Sequence, residues 1–248
     1  MKVTYYSKKN RVSMDKPNED VAYCNIDKKI FFVLDGVSRD RQNGAYPDPS
    51  PARNVSRLLA DTISSYLLNS PSYRNNPFET MLSAVSIGNK NVRQYNEENS
   101  IHFFPAGAVG IISFIIEDYF YYSYIGDCCG WVIGSHGCGM FTESQTYKVH
   151  EHIKNYTAKE VRGEICNNIS HPDGYGVIDG NPKAMDFLKM GRISLRDTEN
   201  ILLATDGMEE WLGKSVPSEI KNKNAETIIY ESLRGQNKDD KTLIKLDF

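Results

Sequence analysis

The residues with most chemical potential are acidic and sit at the ends of apolar runs. "FFVLDG" (31–36) and "ILLATDG" (201–207) each carry a hydrophobic stretch into Asp-Gly, at Asp35-Gly36 and Asp206-Gly207. Two further acidic pairs stand just before apolar runs: Glu19-Asp20 in "PNED" and Asp239-Asp240 in "KDDKT". An ionised carboxylate taken out of water costs several kcal/mol unless something pairs with it, and a metal ion is the strongest partner available. Glycine after each aspartate lets the backbone turn sharply and lets a ligand approach its carbonyl. If the four segments converge, five or six carboxylates meet without a compensating arginine. Such an all-oxygen, high-charge site suits hard cations, Mg²⁺ or Mn²⁺. Asp-Gly after a strand is also an ordinary turn signal, so the dipeptides alone leave both readings open.

The surrounding segments must position these acids. "VAYCNI" (21–26) alternates in part, and "IFFVLDG" (30–36) is a continuous apolar run suited to a strand buried on both faces. Ser50-Pro51 predicts a helix start, with Val55, Leu58, Leu59, Ile63, Tyr66 and Leu67 on one apolar face. "NPFE" (76–79) predicts a second helix, with Asn76 as cap, Pro77 at the first position and Glu79 closing a capping box. Its buried stripe reads Phe78, Met81, Leu82, Val85, Val92 and Tyr95, with Gly88 as a weak point. Strands follow over 107–117, 119–126 and 130–134, joined by hairpin turns at "EDY" (117–119) and "GSHG" (134–137). Residues 143–190 carry no clear period. One or two strands over 192–207, a helix from Asn224 to Leu233 stopped by Gly235, and the strand "KTLIKLDF" complete the order. This is not regular βαβ alternation. It predicts an α+β fold with antiparallel sheets, most simply helices covering a β-sandwich.

With 248 residues the chain is long enough for one large domain or two small ones. Apolar residues at 40% and charged residues at 25% read as soluble and globular. A net charge of -3, from 29 basic and 32 acidic residues, gives no footing for nucleic acid. The longest apolar run, "AGAVGIISFII" (106–116), falls short of a membrane span. "MKVTYYSKKNR" lacks the apolar core of a signal peptide, and five cysteines without such a signal fit a reduced, cytoplasmic protein.

Five motifs in this order resemble the metal-dependent serine/threonine protein phosphatases of the 2C type, the PPM family. "NED" (18–20) is similar to the family's Glu-Asp segment, and "FFVLDGVS" (31–38) to its strand ending in Asp-Gly. "GAVGIISFIIEDYFYYSYIGDCCGWVI" (107–133) resembles its small-residue strand, hairpin and Gly-Asp-Ser-type turn. "ILLATDGMEEWL" (201–212) and "DDKTLIKL" (239–246) resemble its Ser-Asp-Gly segment and its terminal strand. The resemblance implies one phosphatase domain over 1–248: a four-layer α-β-β-α sandwich, two packed antiparallel sheets flanked by helix pairs. It implies a bacterial-type enzyme holding two Mn²⁺ or Mg²⁺ ions at one end of the sandwich. Asp35 would bridge them. Glu19 and the Gly36 carbonyl would complete one, with Asp20 beside it, while Asp206 and Asp239 hold the other. Asp127 would help hold a weaker third ion. The implied reaction is hydrolysis of phosphoserine and phosphothreonine esters by a water held between the ions, attacking phosphorus in line. The implied partners are phosphoprotein substrates and a Ser/Thr kinase system, with no nucleic acid or membrane, and the enzyme is expected to act as a monomer.

Departures from the pattern concern substrate binding. Many members carry an arginine five residues before the Glu-Asp aspartate; here that position is Asp15. Lys16 or Arg11 is the available substitute, although lysine is a poorer bidentate clamp, and Arg39 is an alternative phosphate ligand. "DGVSR" lacks the histidine that serves some members as a general acid, and "GDCC" replaces Gly-Asp-Ser-Arg. The alternative to an enzyme is therefore a pseudophosphatase that binds a partner with little turnover. Cys128, Cys129, His136 and Cys138 lack Cys-x₂-Cys spacing and read as buried thiols rather than a zinc site. "HEH" (150–152) lacks HExxH spacing and reads as exposed, and His171 as a loop residue. Trp211 is expected to anchor the helix after Asp206.

Overall fold

The computed structural model describes residues 1–9, 15–41, 43–70, 74–102, 104–135, 137–215, 217–235 and 239–248. Arg11 and His136 lie outside the described residues. In chain order the elements are β1 (Lys2–Lys8), β2 (Val21–Asn25), β3 (Ile30–Gly36), α1 (Pro51–Asn69), α2 (Pro77–Glu98), β4 (Ala108–Ile116), β5 (Tyr119–Ile125), β6 (Cys129–Gly134) and β7 (Gly137–Met140). They continue as α3 (Tyr147–His152), α4 (Ala158–Glu160), β8 (Lys189–Ser194), β9 (Thr198–Ala204), α5 (Glu209–Lys214), α6 (Pro217–Lys221), α7 (Ala225–Ser232) and β10 (Lys241–Asp247).

Two five-stranded antiparallel sheets form, one ordered β1-β10-β9-β6-β7 and the other β2-β3-β4-β5-β8. The unbroken apolar runs follow from strands buried on both faces. In β3, Phe31 and Val33 face the other sheet, where they join Ile111, Leu203 and Ile244. Ile30, Phe32 and Leu34 face α1 and α2, among Val55, Leu59, Ile63 and Val85. In β9, Leu202 and Ala204 pack instead on Leu212, Ile228 and Ile229 of α5 and α7. The layers are therefore helices, sheet, sheet, helices, the expected four-layer α+β sandwich. Each fully buried aliphatic or aromatic side chain contributes about 1.5–3 kcal/mol against leaving it in water.

Helix α1 starts as its residues dictate: Ser50 Oγ accepts from the Arg53 N–H at 3.1 Å, with Pro51 at the first position. At the start of α2 the capping box does not form, and Asn76 makes no side-chain cap. Pro77, already fixed near helical φ, and the packed face carry that start. The buried stripe of α2 keeps Met81, Val85 and Val92 of the expected set but is rotated away from Phe78 and Leu82. Met81, Val85, Gly88 and Val92 are buried, whereas Phe78 and Leu82 are 38% and 39% exposed. Phe78 overhangs the sheet edge-on to the Tyr121 ring at 5.5 Å. Strand β1, unmarked in the sequence reading, pairs along its length with β10, from Lys2 opposite Asp247 to Lys8 opposite Lys241. The 143–190 segment folds into short helical turns around α3 and α4. Among the described residues no helix is long and apolar enough to cross a membrane.

Candidate metal centre

Strand pairing brings the acidic segments to one end of the sandwich. Asp35 pairs with Val109, and Gly36 with Ala108, so the exit of β3 lies beside the entry of β4. Val21 opposite Leu34 puts Glu19 and Asp20, just before β2, at the same edge. In the other sheet Ala204 pairs with Leu243 and with Cys129. Asp206, just past β9, therefore meets Asp239 and Asp240, just before β10. Asp127 lies where the chain leaves β5 for β6 and crosses between the sheets. Asp35, Gly36, Asp127, Asp206 and Asp239 line one open cleft of about 250 Å³.

Both glycines that follow these aspartates are required by close approach. A Cβ at Gly36 would stand 2.8 Å from the Ala52 carbonyl oxygen, and one at Gly207 only 1.9 Å from the Asp240 carbonyl oxygen. The two sheets and the first turn of α1 could not close around the cleft with larger residues there. Thr205 N–H donates to the Thr242 carbonyl at 3.1 Å, and Thr242 N–H returns a bond to Thr205 Oγ1 at 3.1 Å. Lys241 Nζ donates to the Gly207 carbonyl, pinning β10 to the Asp206 turn.

The electrostatics are those of crowded anions. Burial, then the charges of Asp20, Asp206, Asp127 and Asp239, push the Asp35 carboxyl well above the ordinary range. Burial and the charges of Asp127 and Asp239 push Asp206 up to about 7. Burial and the charge of Asp240 push Asp20 up to about 8. Asp127 is also raised by burial, partly offset by the bond its Oδ2 accepts from Thr146 Oγ1 at 2.9 Å. Asp20 Oδ2 accepts from Thr205 Oγ1 at 2.9 Å, while its Oδ1 is sealed from solvent without a hydrogen-bond partner. An orphaned carboxylate oxygen beside mutually repelling carboxylates, all donors being oxygen, fits a hard divalent cation. Among the described residues no three His, Cys, Asp or Glu side chains close into a cage around one point. Mg²⁺-type ions keep several waters and need only one or two protein carboxylates each, which an open cleft allows.

Glu19 does not join the cleft. Its side chain is fully buried, and both oxygens are already engaged. Oε1 accepts from Tyr46 OH at 2.6 Å and Ser50 Oγ at 2.5 Å, and Oε2 from Ser38 Oγ at 2.9 Å. Its N–H donates to Asp240 Oδ2 at 3.0 Å, and its carbonyl accepts from Ser56 Oγ at 2.6 Å. Glu19 thus joins β2, α1 and β10. Lys16 is likewise engaged within the chain. It is 9% exposed, with Nζ 3.4 Å from Glu19, 3.3 Å from Asp239 and 3.8 Å from Asp240. Burial opposes its charge, but Asp239, Asp240 and Glu19 outweigh burial and raise its pKa. Arg39 turns away from the cleft: its guanidinium donates to the Pro105 carbonyl at 3.0 Å, and its backbone N–H to Tyr46 OH at 2.8 Å. Asp15 is held bidentately by Arg41 at 2.5 and 2.7 Å and accepts from the Tyr46 N–H at 3.0 Å.

The sequence reading missed the second wall of the cleft. The 143–190 segment supplies Thr146, Val149, His150, Ile153, Val161, Tyr175 and Val177 to it. His150 is exposed, as "HEH" suggested, but it faces this cleft; lying in an aperiodic stretch, it carried no signal. His152 and Tyr156 bond the buried Asp173 carboxylate at 2.9 and 2.6 Å and so stiffen that segment. Cys128 and Cys129 are buried free thiols, whereas Cys138 is free and exposed. Trp211 packs against the cluster of α5 and α7 as expected.

Two facing antiparallel sheets with helices outside them make up the fold of solved bacterial serine/threonine phosphatases, and the resemblance read in the sequence holds at the level of the fold. The serine/threonine phosphatase PstP/Ppp of Mycobacterium tuberculosis superposes with a TM-score of 0.74 at 17% identity, over 100% of this chain and 98% of that one. Stp1 of Staphylococcus aureus gives 0.69 at 16%, over 99% and 94%. The catalytic domain of PstP in complex with 2 manganese ions gives 0.69 at 18%, over 99% and 97%. No family model matches the sequence, and no curated protein matches it.

Proposed function

We propose that this chain is a metal-dependent phosphoprotein phosphatase, hydrolysing phosphoserine and phosphothreonine esters with two Mn²⁺ or Mg²⁺ ions. The observation that carries the reading is the convergence of Asp35, Asp127, Asp206 and Asp239 in one cleft. Little but cations compensates such mutual repulsion. Asp35 and the Gly36 carbonyl would hold ions together with Asp206 and Asp239, with Asp20 behind them and Asp127 at a weaker third position. When bound, the ions supply a water nucleophilic at neutral pH and positive charge against the phosphate. The chain's own residues fix the geometry: Lys16 holds Asp239 and Asp240 in place, Thr205 orients Asp20, and Thr146 orients Asp127.

One observation favours a pseudophosphatase. Among the described residues no lysine or arginine lines the cleft to grip a phosphate. Phosphate release from a phosphothreonine peptide decides between them. The enzyme reading predicts turnover with Mn²⁺, none with EDTA, and a loss of at least about 10²-fold in kcat for Asp206→Ala, the scale of losing one element of transition-state charge stabilisation. Mn²⁺ binding without turnover would favour the partner-binding role.

A further inference from the structure

The cleft has two chemically opposite walls. One is the carboxylate cluster. The other is mainly apolar, formed by Val37, Val149, Ile153, Val161, Tyr175 and Val177, with Ser38, Thr146 and the exposed His150 among them. Most of that wall is packed, Val149 being 2% exposed, but at its rim Val37 and Ile153 present 36% and 42% of their surface to solvent. Val37 lies two residues beyond Asp35, its position fixed by the 2.9 Å bond from its N–H to the Gly107 carbonyl. Ile153 opens the 3-10 turn Ile153–Asn155 that continues α3. The cations that would ordinarily orient a phosphate are engaged elsewhere, Lys16 with Glu19, Asp239 and Asp240 and the Arg39 guanidinium with Pro105. Binding energy from the part of a substrate away from the reacting centre must therefore come from surface of another kind, and the surface contiguous with the carboxylates is largely apolar.

We infer that the cleft selects phosphorylated segments in which a bulky apolar side chain stands within two residues of the phosphoserine or phosphothreonine and packs on Val37, Ile153 and Val161. This rests on the phosphatase reading. Acidic neighbours are disfavoured because they meet Asp127 and Asp239. A basic neighbour gains less than a free carboxylate would give, since Lys16 already holds the partly exposed Asp239 at 3.3 Å.

The test uses the whole chain with Mn²⁺ and phosphothreonine peptides of one length, carrying Leu, Gln, Glu or Lys in turn at each of the two positions on either side. Turnover of p-nitrophenyl phosphate is followed on the same preparations. A well-placed apolar group is worth about tenfold or more in kcat/KM. Leu should therefore exceed Gln by about that factor at one or more positions, through KM. The Leu-to-Gln ratio should collapse in Ile153→Gln and in Val37→Gln, both rim substitutions at water-facing positions. Turnover with a ratio near one, a preference for Lys over Leu, or a Leu preference that survives both substitutions overturns the inference and leaves the phosphatase reading standing. No turnover of any peptide or of p-nitrophenyl phosphate overturns both.

Discussion

At the residue scale, the acidic side chains near β2 divide by what already satisfies them. Glu19 has three side-chain hydrogen-bond donors on its two oxygens and an ion pair with Lys16. Asp35 is surrounded by like charge. The two should respond oppositely when metal is withheld. In EDTA, Glu19→Gln should lower stability by about 2 kcal/mol, the range for hydrogen bonds to a charged group. Asp35→Asn, which removes buried repulsion, should raise stability in EDTA and abolish the increase produced by Mn²⁺. Urea denaturation in both conditions measures this. If Glu19→Gln were neutral in EDTA and harmful only with Mn²⁺, Glu19 would return as a metal ligand. The sequence located both residues but could not separate them, because the partners that occupy Glu19 come from positions 38, 46 and 50 and meet it only in the folded chain.

At the scale of elements, continuous apolar runs told most. "FFVLDG" and "ILLATDG" read as strands because burial on both faces leaves no room for polar residues, and β3 and β9 are such strands. The Asp-Gly pairs read as strand ends, and their glycines turn out to be demanded by backbone contact. Edge strand β1 was not legible, since "KVTYYSK" is only partly buried and gains its place by pairing with the distant β10. The apolar wall from 143–190 was not legible either, because turns of three to six residues show no period. The Gly207 contact gives an element-scale prediction. In Gly207→Ala the added Cβ, 1.9 Å from the Asp240 carbonyl oxygen, must drive β10 away from the Asp206 turn. Thermal unfolding should show a loss of about 1–3 kcal/mol, as for overpacking, and the rise in Tm on adding Mn²⁺ should shrink with it. An unchanged response to Mn²⁺ would mean that Asp206 and Asp239 need not be held together.

At the scale of the whole molecule, the two sheets bring repelling carboxylates together against the preference of the metal-free chain. The raised carboxyls of Asp20, Asp35 and Asp206 bind protons more tightly folded than unfolded. Their favourable contribution is complete below the ordinary carboxylate pKa near 4 and is lost as pH rises through about 7 to 8. The lowered carboxyls of Asp15 and Asp173 respond only at lower pH, and the raised Lys16 stays charged throughout this interval. The metal-free protein should therefore lose Tm between pH 5 and pH 8.5, by about 5 °C or more, given about 2–4 °C per kcal/mol for a chain of this size. Mn²⁺ should stabilise it more at pH 8.5 than at pH 5, where protons compete for the same oxygens. A metal-free Tm that rises over this interval would contradict the buried repulsion.

The phosphatase reading stands on these carboxylates holding divalent ions. Calorimetric titration of the metal-free protein with Mn²⁺, beside Asp35→Ala, tests it most directly. The predicted result is saturable uptake of two ions by the parent chain, and loss of that uptake when the Asp35 carboxylate is removed. No saturable uptake, or uptake unchanged in Asp35→Ala, would contradict it.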